Sequence, residues 1–400
     1  MSFFDDIRSV IWYTENMNIV EKVNHRSIKN YDGDLKGKKV LVRIDVNTSL
    51  GENETVDPGE DWRIIKSYAT IDYLLDQGAC VILMSHIGRD PQQSLRPIYE
   101  FMSQHYTLGF LPRYDNEIIT ETIQAMQHGS VVMLENVRQF DQEKKNDSSY
   151  LGAIIDHCDL YVNDAFSVSH RMHASVADVT AKLPAYFGLQ MCDEVSYLAR
   201  AVSSDAGQNT VLVLGGAKFG TKLDLLRQLL PHIDYALVGG ALANVFLRER
   251  GINIGASFAD DVDVSDMVEN EKIVLPVDAV DQHGDVILVD QVGEQDMILD
   301  IGPQTEQVFE QIIDHAQTVL WNGPMGKYED GYVSGSLSVA ASIAHARAFS
   351  ATGGGDTATV ILEQGVQDNF DFISTGGGAM LDFLVEGTLP AIEELLKNNK

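Results

Sequence analysis

The chain is poor in basic side chains. Its 400 residues include 29 lysines and arginines against 59 aspartates and glutamates, so the formal net charge is −30 with neutral histidines. A surface with this balance repels phosphate backbones and anionic membranes at long range. We therefore expect a protein that binds neither nucleic acid nor membranes, and in which a local cluster of arginines serves a purpose.

Cysteine and long apolar runs are also scarce. The three cysteines, Cys80, Cys158 and Cys192, lie far apart in or beside apolar stretches. This is typical of buried thiols in a reducing compartment and not of a disulfide framework. No apolar run approaches the length of a membrane span, and the first residues carry acids where a secretory signal would carry bases. The sequence therefore predicts a cytoplasmic protein without a membrane-spanning segment.

Two familiar phosphate-binding motifs are missing. No strand-like run is followed by G-x-G-x-x-G with an acid about twenty residues later, which argues against a Rossmann dehydrogenase. In the stretch GGAKFGTK, Thr221 precedes Lys222, the reverse of the order that a P-loop needs. Lys218 and Lys222 would lie on one helix face, where like charges are unfavourable unless an anion lies between them. We therefore expect lysine point charges, and not an enclosing loop, to hold phosphate here.

Short, continuously apolar runs alternate with amphipathic helical patterns along the chain. Examples are the runs 39–46, 79–84 and 211–214 and the patterns IIKSYATIDYLLDQ and LDLLRQLLPHI. Runs that are apolar throughout fit strands of a parallel sheet covered by helices on both faces. The predicted class is doubly wound α/β, with a division near Leu183 and Pro184 into two halves of domain size.

Basic side chains follow several strand-like runs of the first half. In open α/β sheets ligands gather at the carboxyl ends of strands, and guanidinium groups pair well with carboxylate and phosphate oxygens. A single arginine is explained as well by pairing with the many acids, but the whole set predicts a site for a small polyanion. The set comprises the basic residues Arg43, Arg63, His86, Arg89, Arg138, His170, Arg171 and His173, with Asp45 and Asn47 beside Arg43.

Glycine occupies the same topological place in the second half. GGAKFGTK, VGGAL, WNGPMGKYE, TGGGDTATV and STGGGAML each follow a strand-like run. Glycine lets backbone N–H groups approach a ligand, and the helix N-termini behind these runs favour anions. One such loop would need only a turn to explain it, but several predict a nucleotide polyphosphate site. Asp356 is a candidate Mg²⁺ ligand, and Thr357 is expected to cap its helix.

The two halves together predict a transferase in which domain closure brings the small polyanion and the nucleotide together. No obvious nucleophile or general base stands out among the candidates. A phosphoryl acceptor that is already ionised, such as a carboxylate, needs none, so catalysis would depend on positioning and charge neutralisation.

These motifs resemble those of the phosphoglycerate kinase family from about Leu35 to nearly the end of the chain. VLVRIDVN, ILMSHIGR, LENVR, YVNDAF, HRMHAS, LDIGP, WNGPMGKYE, GGGDTA and ISTGGGA occur in the family's order and approximate spacing. The resemblance implies two Rossmann-like domains with parallel sheets, joined by a hinge. It also implies reversible phosphoryl transfer, in line and on hinge closure, between 1,3-bisphosphoglycerate with ADP and 3-phosphoglycerate with ATP. The enzyme would act in glycolysis as a cytoplasmic monomer that uses Mg²⁺.

The resemblance implies a division of the chain between two substrates. Residues 1–186 would form the domain that binds 3-phosphoglycerate, with 1–18 as an extension that the family does not require. Residues 187–386 would form the Mg-nucleotide domain, and 387–400 a helix that returns to the first domain. The alternative is a divergent, non-catalytic nucleotide-binding protein of the same fold.

The resemblance also assigns roles to single residues. Arg63 would stabilise the phosphoryl group in transfer, Glu329 would contact the ribose, and Asp356 would hold the metal. The expected catalytic residues are Arg63, Lys218, Lys222, Gly376, Gly377 and Gly378. The residues expected to bind 3-phosphoglycerate are Arg43, Asp45, Val46, Asn47, Arg63, His86, Ile87, Gly88, Arg89, Arg138, His170 and Arg171. The residues expected to bind the nucleotide are Gly216, Lys218, Lys222, Gly239, Gly240, Asn322, Glu329, Gly353, Gly354, Gly355, Asp356 and Thr357.

The chain departs from the usual family pattern beside several of these residues. Thr48-Ser49 and Gln139-Phe140 stand where Val-Pro and Phe-His are usual, Asp90 replaces a proline, and Gly220 lies between the two lysines. We expect Asp90 to bring a negative charge beside the basic residues, and Gly220 to loosen the helix start that aims Lys222. The departures remove none of the ligands named above.

Overall fold

The structure, a computed structural model, describes residues 18–51, 53–57, 59–202, 209–217 and 219–398. Most of the predicted extension 1–18, and also Lys218, therefore lie outside the described residues. The described chain forms two compact units. The first unit comprises residues 18–196 and 388–398, and the second unit comprises the described residues from 197 to 387.

A parallel sheet of six strands forms the centre of the first unit, in the order β3-β4-β2-β1-β5-β6. The strands are β1 (Lys39–Ile44), β2 (Cys80–Met84), β3 (Leu108–Leu111), β4 (Val131–Leu134), β5 (Leu160–Asp164) and β6 (Ala185–Phe187). Chain order reverses between β1 and β5, where Ile44 pairs with Asp164. Doubly wound sheets place ligands at the carboxyl ends of strands beside such a reversal.

Helices of the first unit cover this sheet and bury its apolar side chains. They are α1 (residues 18–25), α2 (Trp62–Lys66), α3 (Tyr68–Asp76), α4 (Arg96–Met102), α5 (Asn116–Ala125), α6 (Asp141–Lys144) and α7 (Gly152–Ile155). Val42 and Leu83 of the sheet pack in one core with Ile71 of α3 and Ile98 of α4. The next helix, α8 (Leu189–Ala201), begins in the first unit and ends in the second.

The second unit contains another parallel sheet of six strands, in the order β15-β14-β13-β7-β8-β9. Its strands are β7 (Thr210–Leu214), β8 (Tyr235–Val238), β9 (Ile273–Val274), β13 (Thr318–Asn322), β14 (Phe349–Gly353) and β15 (Phe372–Ser374). Chain order reverses between β7 and β13, where Leu214 pairs with Asn322. The loops that follow these two strands therefore leave the sheet side by side.

Helices and a small antiparallel sheet complete the second unit. The helices are α9 (Phe219–Leu229), α10 (Gly240–Glu249), α11 (Pro303–Asp314), α12 (Ser334–His345), α13 (Gly355–Glu363) and α14 (Gly377–Glu386). The antiparallel strands are β10 (Asp278–Val280), β11 (Val286–Leu288) and β12 (Asp300–Ile301), in the order β11-β10-β12. The two parallel sheets confirm the predicted α/β class, whereas these strands of two or three residues leave no clear sequence pattern.

The last helix, α15 (Pro390–Lys397), packs on the first unit. The Ala391 N–H donates to the Ser169 carbonyl at 3.0 Å, and Asn398 Nδ2 donates to the Leu183 carbonyl at 2.9 Å. Arg26 closes the contact, because its Nη2 donates to the Asn398 carbonyl at 2.7 Å. Across the residues that the structure describes, we find no helix with the length and apolar character needed to cross a membrane.

Candidate active site

The strand ends of the first unit bring several predicted residues around one loop. Asn47, just past β1, accepts a hydrogen bond from the Gly88 N–H at 2.7 Å, and its carbonyl accepts from Arg63 Nη1 at 3.5 Å. Arg138, past β4, donates to the Gly88 carbonyl. Gly88 has a backbone φ of +64°, which residues other than glycine rarely adopt. The loop after β2 thus depends on glycine for a shape that contacts the ends of β1 and β4.

Asp45 Oδ2 and Arg63 Nε are buried polar atoms of this cluster without a hydrogen-bond partner among the described residues. Asp45 is 4% exposed, and its other oxygen accepts from the Asn47 N–H at 3.3 Å. The Arg63 guanidinium lies over the Trp62 ring, 5.2 Å from the ring centre. An unpaired buried polar atom costs about 1–3 kcal/mol. The two atoms therefore suit a ligand with both a donor and an acceptor.

Arg43 and His86 form a buried pair, 1% and 2% exposed. Arg43 Nη2 lies 2.9 Å from His86 Nδ1. Arginine can only donate, so Nδ1 accepts and the imidazole is neutral with its proton on Nε2. Burial and the nearby Arg43 and Arg138 hold the pKa of His86 well below its ordinary value of 6.5, which favours the same form. His86 is therefore a neutral donor.

The other hydrogen bonds of the Arg43 guanidinium also go to groups inside the protein. Its Nε donates to Ser175 Oγ at 3.0 Å, and its Nη1 donates to Ser85 Oγ at 3.3 Å and to the Ile44 carbonyl. These contacts occupy the guanidinium within the protein. Arg43 thus orients His86, and its contact with a ligand stays a prediction.

The remaining cations of the cluster lie close to one another. Burial and the nearby Arg43 and Arg171 lower the pKa of Arg138 to about 10. Arg171 is exposed, and its Nε donates to His170 Nε2 at 3.0 Å. Cations held this close repel one another unless an anion lies between them. The arrangement therefore favours a bound anion.

Three predicted members contribute differently from these. The side chains of Val46 and Ile87 are buried in the apolar core, so only their backbone groups are available to a ligand. Arg89 is exposed beside Asp90. Asp90 Oδ1 accepts from the Gln92 N–H at 2.9 Å. The negative charge that the sequence places here is thus engaged in its own turn.

The glycine-rich loops of the second unit meet where β7, β13 and β14 end. The Gly215 N–H donates to the Asn322 carbonyl at 3.1 Å, and Asn322 Nδ2 donates to the Gly353 carbonyl at 2.6 Å. The Gly323 N–H donates to Thr357 Oγ1 at 2.8 Å. Three strand ends and the first turn of α13 are therefore joined, and the Asn322 amide supports the loops from within.

Several of these glycines approach backbone too closely for a side chain. A Cβ at Gly240, where φ is +59°, would lie 2.6 Å from the Gly216 nitrogen. A Cβ at Gly377 would lie 3.0 Å from the Gly354 Cα. The first contact places the start of α10 against the loop after β7, and the second places the start of α14 against that of α13. The first N–H groups of these helices lack helical partners. Helix N-termini arranged in this way favour phosphate.

Lys222 reaches into the same loops. It is buried, and its Nζ donates to the Gly215 carbonyl. A Cβ at Gly216 would lie 3.1 Å from this Nζ, so the ammonium group lies against the loop backbone. The cation predicted from the sequence is therefore at the glycine loops, while its predicted companion Lys218 lies outside the described residues.

The remaining predicted nucleotide residues lie at helix starts and turns. Asp356 is exposed in the first turn of α13, and Glu329 is exposed in the turn Tyr328–Asp330. Gly376 caps α14, which starts with Gly377 and Gly378, and Gly239 caps α10. The prediction that Thr357 caps α13 is wrong. Gly354 is the capping residue, and the Thr357 hydroxyl holds Gly323 instead.

Sequence reasoning missed three buried supports of the first cluster: Asn136, Glu143 and Ser175. Asn136 Nδ2 donates to the Ile87 carbonyl at 3.0 Å and to the Gln93 carbonyl at 2.9 Å, which closes the loop at Gly88. Asn136 and Ser175 belong to the motifs LENVR and HRMHAS, which is a signal that could have found them. Glu143 lies among several charged residues of QFDQEKKND and carries no such signal.

No group of three or more metal-binding side chains occurs within the described ranges. Asp356 supplies one exposed carboxylate at the glycine loops. Mg²⁺ in proteins commonly takes one or two carboxylates together with substrate phosphates and water. The residues present therefore fit a magnesium ion that arrives with a polyphosphate.

Known proteins resemble the chain over nearly its whole length. The family model for phosphoglycerate kinase matches residues 29–387. The phosphoglycerate kinase of Wolbachia pipientis is 38% identical over 401 aligned residues, which cover 94% of this chain and 100% of that protein. That of Geobacter metallireducens is 36% identical over 390 residues, covering 92% and 97%.

Solved structures give the same result. The phosphoglycerate kinase of Coxiella burnetii matches with a TM-score of 0.76 and 30% identity, over 93% of this chain and 98% of that one. The phosphoglycerate kinase of Pyrococcus horikoshii matches with a TM-score of 0.80 and 28% identity, over 92% and 98%. Motifs, fold and all three comparisons agree, and the chain belongs to the phosphoglycerate kinase family.

Proposed function

We propose that the cluster of the first unit binds 3-phosphoglycerate and that the glycine loops of the second unit bind Mg-ATP or Mg-ADP. As a member of its family, the chain is a glycolytic kinase that transfers a phosphoryl group reversibly between 1,3-bisphosphoglycerate with ADP and 3-phosphoglycerate with ATP. The observation that carries the proposal is the pair of unpartnered atoms, Asp45 Oδ2 and Arg63 Nε, beside crowded cations.

The chemistry of 3-phosphoglycerate suits these groups. The molecule has a phosphate, a carboxylate and one hydroxyl. Asp45 Oδ2 needs a donor, and the hydroxyl supplies it. Arg89, Arg138 and Arg171 would pair with the anionic ends, and His86 would add the neutral Nε2–H donor derived above.

The nucleotide phosphates would bind mainly to backbone N–H groups. The starts of α10, α13 and α14 present such groups within the glycine loops, and Lys222 adds a positive charge. Lys218 would join it, and Glu329 would accept a hydrogen bond from the ribose. The role of Asn322 is more indirect, because its amide is engaged by Gly353.

Asp356 would hold Mg²⁺ together with the nucleotide phosphates. When bound, the ion would neutralise part of the phosphate charge. A carboxylate in the first turn of a helix stabilises the helix, because its negative charge complements the positive end of the helix dipole. Asp356 is therefore available to the cation without a cost in helix stability.

The transfer itself needs no general base in this proposal. The accepting carboxylate of 3-phosphoglycerate is ionised at neutral pH. Arg63 would stabilise charge on the oxygens of the moving phosphoryl group, where preorganised donors contribute most. The backbone N–H groups at Gly376, Gly377 and Gly378 would act on the same charge from the nucleotide side.

We also propose that the enzyme is a cytoplasmic monomer. All three cysteines are free, and Cys80 and Cys192 are buried. Unpaired thiols of this kind suit a reducing compartment. The monomeric state is the state that the family resemblance implies.

A coupled assay tests the proposal. Purified protein is mixed with 3-phosphoglycerate, Mg-ATP, glyceraldehyde-3-phosphate dehydrogenase and NADH, and the loss of NADH absorbance is followed. Protein-dependent loss that needs all of these components is expected. If calorimetry showed that ATP binds but no NADH were lost, the non-catalytic alternative would be favoured instead.

A further inference from the structure

Glu143 of α6 is a buried carboxylate to which the proposed function gives no role. It is 1% exposed. Its Oε2 accepts from the Ser175 N–H at 2.9 Å and from the Tyr150 hydroxyl at 2.8 Å, and its Oε1 accepts from the Ser175 hydroxyl at 2.7 Å. His173 Nδ1 lies 3.7 Å from Oε1. A buried carboxylate with this many hydrogen-bond donors is held in one position.

Hydrogen bonds link the Glu143 carboxylate to the cluster through Ser175 and Arg43. Ser175 donates its hydroxyl hydrogen to Glu143, so its oxygen is available to accept from Arg43 Nε at 3.0 Å. Arg43 in turn donates from Nη2 to His86 Nδ1 at 2.9 Å. In this relay of Glu143, Ser175, Arg43 and His86, the guanidinium donates both to Ser175 and to His86. Because arginine can only donate, its position against Nδ1 leaves the His86 proton on Nε2.

The negative charge of Glu143 also compensates the positive charge of Arg43. Arg43 is a buried cation, and it repels Arg138 enough to contribute to the lowered pKa of that side chain. Glu143 acts on Arg138 with the opposite sign. Removing one partner of a buried charged pair leaves the other uncompensated. Glu143 therefore allows a guanidinium to lie under a cluster that already contains Arg138 and Arg171.

Aromatic side chains hold the carboxylate in position. The Tyr150 ring stacks on Phe140 with centroids 4.5 Å apart, and Phe140 meets Tyr114 edge to face at 4.8 Å. Burial and the negative charge of Glu143 raise the pKa of Tyr150 well above its ordinary value, so its hydroxyl remains a donor. Phe140 is one of the positions at which the chain departs from the usual family pattern, and here it packs against the tyrosine that fixes Glu143.

We propose that Glu143 is a positioning residue for the binding of 3-phosphoglycerate, which acts through Ser175 and Arg43 to hold His86 as a neutral Nε2–H donor. The inference rests on the proposed function, in which His86 and the neighbouring arginines bind this substrate. Glu143 itself touches none of the reacting atoms in this proposal.

The test compares Glu143→Gln with the wild type and with Glu121→Gln, a control at an exposed glutamate of α5. Glutamine keeps the shape of the side chain and removes its charge. We expect the KM for 3-phosphoglycerate to rise about tenfold or more, in line with the loss of a charged hydrogen bond. The KM for ATP and kcat should stay within about twofold to threefold of wild type.

A spectroscopic measurement separates positioning from a general loss of structure. Nitrogen chemical shifts of ¹⁵N-histidine-labelled protein without substrate should show His86 protonated on Nε2 in the wild type and in Glu121→Gln. In Glu143→Gln the same resonances should show loss of this single tautomer. A folded Glu143→Gln protein with the wild-type tautomer and wild-type affinity for 3-phosphoglycerate would overturn the proposal.

Ser175→Ala tests the relay if Glu143→Gln does not fold. This variant keeps the carboxylate and removes the hydroxyl that links it to Arg43, so affinity for 3-phosphoglycerate should fall about threefold or more. An unchanged affinity and an unchanged His86 tautomer would again overturn the proposal. Failure of the wild type to bind 3-phosphoglycerate, by contrast, would contradict the proposed function, because the tautomer is measured without substrate.

Discussion

The two candidate sites are built from different parts of the chain. In the first unit the binding groups are side chains, and Asn47, His86 and Arg138 are held by hydrogen bonds to other elements. In the second unit they are mostly backbone N–H groups, brought together because glycines such as Gly240 and Gly377 leave no side chain in the way. The first site should therefore fail when a group is removed, and the second when an atom is added.

The largest effect is expected from Arg63→Ala in the first unit. Charge on the moving phosphoryl group is greatest in the transition state, so the arginine should contribute there more than to substrate binding. We expect kcat to fall by about 10³-fold, the lower range for an arginine that acts on a transferred phosphoryl group, with KM values changed by less than about fivefold. Steady-state kinetics in the coupled assay measure both.

Arg113→Ala is the matched control, because it removes an exposed arginine of the same unit. It should leave kcat and both KM values unchanged. An Arg63→Ala enzyme with normal turnover and a raised KM for 3-phosphoglycerate alone would move Arg63 from the transition state to ground-state binding.

The counterpart in the second unit is Gly240→Ala, which adds one carbon atom. That atom would lie 2.6 Å from the Gly216 nitrogen, at a backbone conformation with φ of +59°. We expect the free energy of unfolding to fall by about 1–3 kcal/mol, as for other strained backbone positions. The KM for ATP should rise at least about fivefold, because the loop at Gly216 must shift. Calorimetric affinity for 3-phosphoglycerate should not change.

Gly251→Ala separates strain from displacement. Gly251 follows α10 and has a φ of +78°, but no heavy atom of the described chain lies within 4 Å of a Cβ placed there. It should cost about 1–2 kcal/mol of stability, the cost of this conformation for a side chain. The KM for ATP should be that of the wild type. Equal KM values for the two variants would mean that the Gly216 loop does not depend on the close approach.

One residue in each unit should make stability depend on pH, and the two dependences have opposite signs. Burial lowers the pKa of His173 to about 4, with Arg138 adding to the effect and Glu143 opposing it. Between pH 4 and 6.5 the unfolded chain binds a proton at this residue that the folded chain does not, so stability is lost as the pH falls. Asp300 in the second unit has its pKa raised by burial to about 7. The contribution of Asp300 to the free energy of unfolding is therefore present at low pH and is lost as the pH rises from 3.8 through 7.

Single variants are needed to see these slopes. Asp164 of the first unit also has a pKa raised by burial to about 7 and so has the sign of Asp300. Comparing wild type with His173→Gln leaves the Asp164 contribution common to both. Between pH 6.5 and 4.5 the stability of the variant, measured by urea unfolding, should fall less than that of the wild type. Parallel curves would remove His173 from this account.

Sequence pattern predicted the parts of each site that depend on neighbours along the chain. Apolar runs marked β1, β2 and β7, and the residues that follow them proved to lie at strand ends. The pattern could not predict which partner each side chain contacts. Arg43 donates to Ser175, which is distant in sequence, and the Thr357 hydroxyl accepts from the Gly323 N–H. Glu143 was missed for the same physical reason, since only the folded chain brings its carboxylate to Ser175.

The smallest effect is expected from Gly220→Ala, which adds an atom in the second unit close to Lys222. The sequence suggests that this glycine loosens the start of α9 and so the aim of Lys222. In the structure Gly220 is helical, and a Cβ there would have no heavy atom of the described residues within 4 Å. Gly220→Ala therefore adds an atom to the second unit without displacing a loop.

Replacing glycine by alanine inside a helix typically stabilises it by about 0.5–1 kcal/mol. We expect a gain of this size in urea unfolding and an unchanged or slightly lower KM for ATP, since a firmer helix start holds Lys222 more often in place. A raised KM would mean that nucleotide binding needs the helix start to move, and that the second site depends on mobility as well as on room.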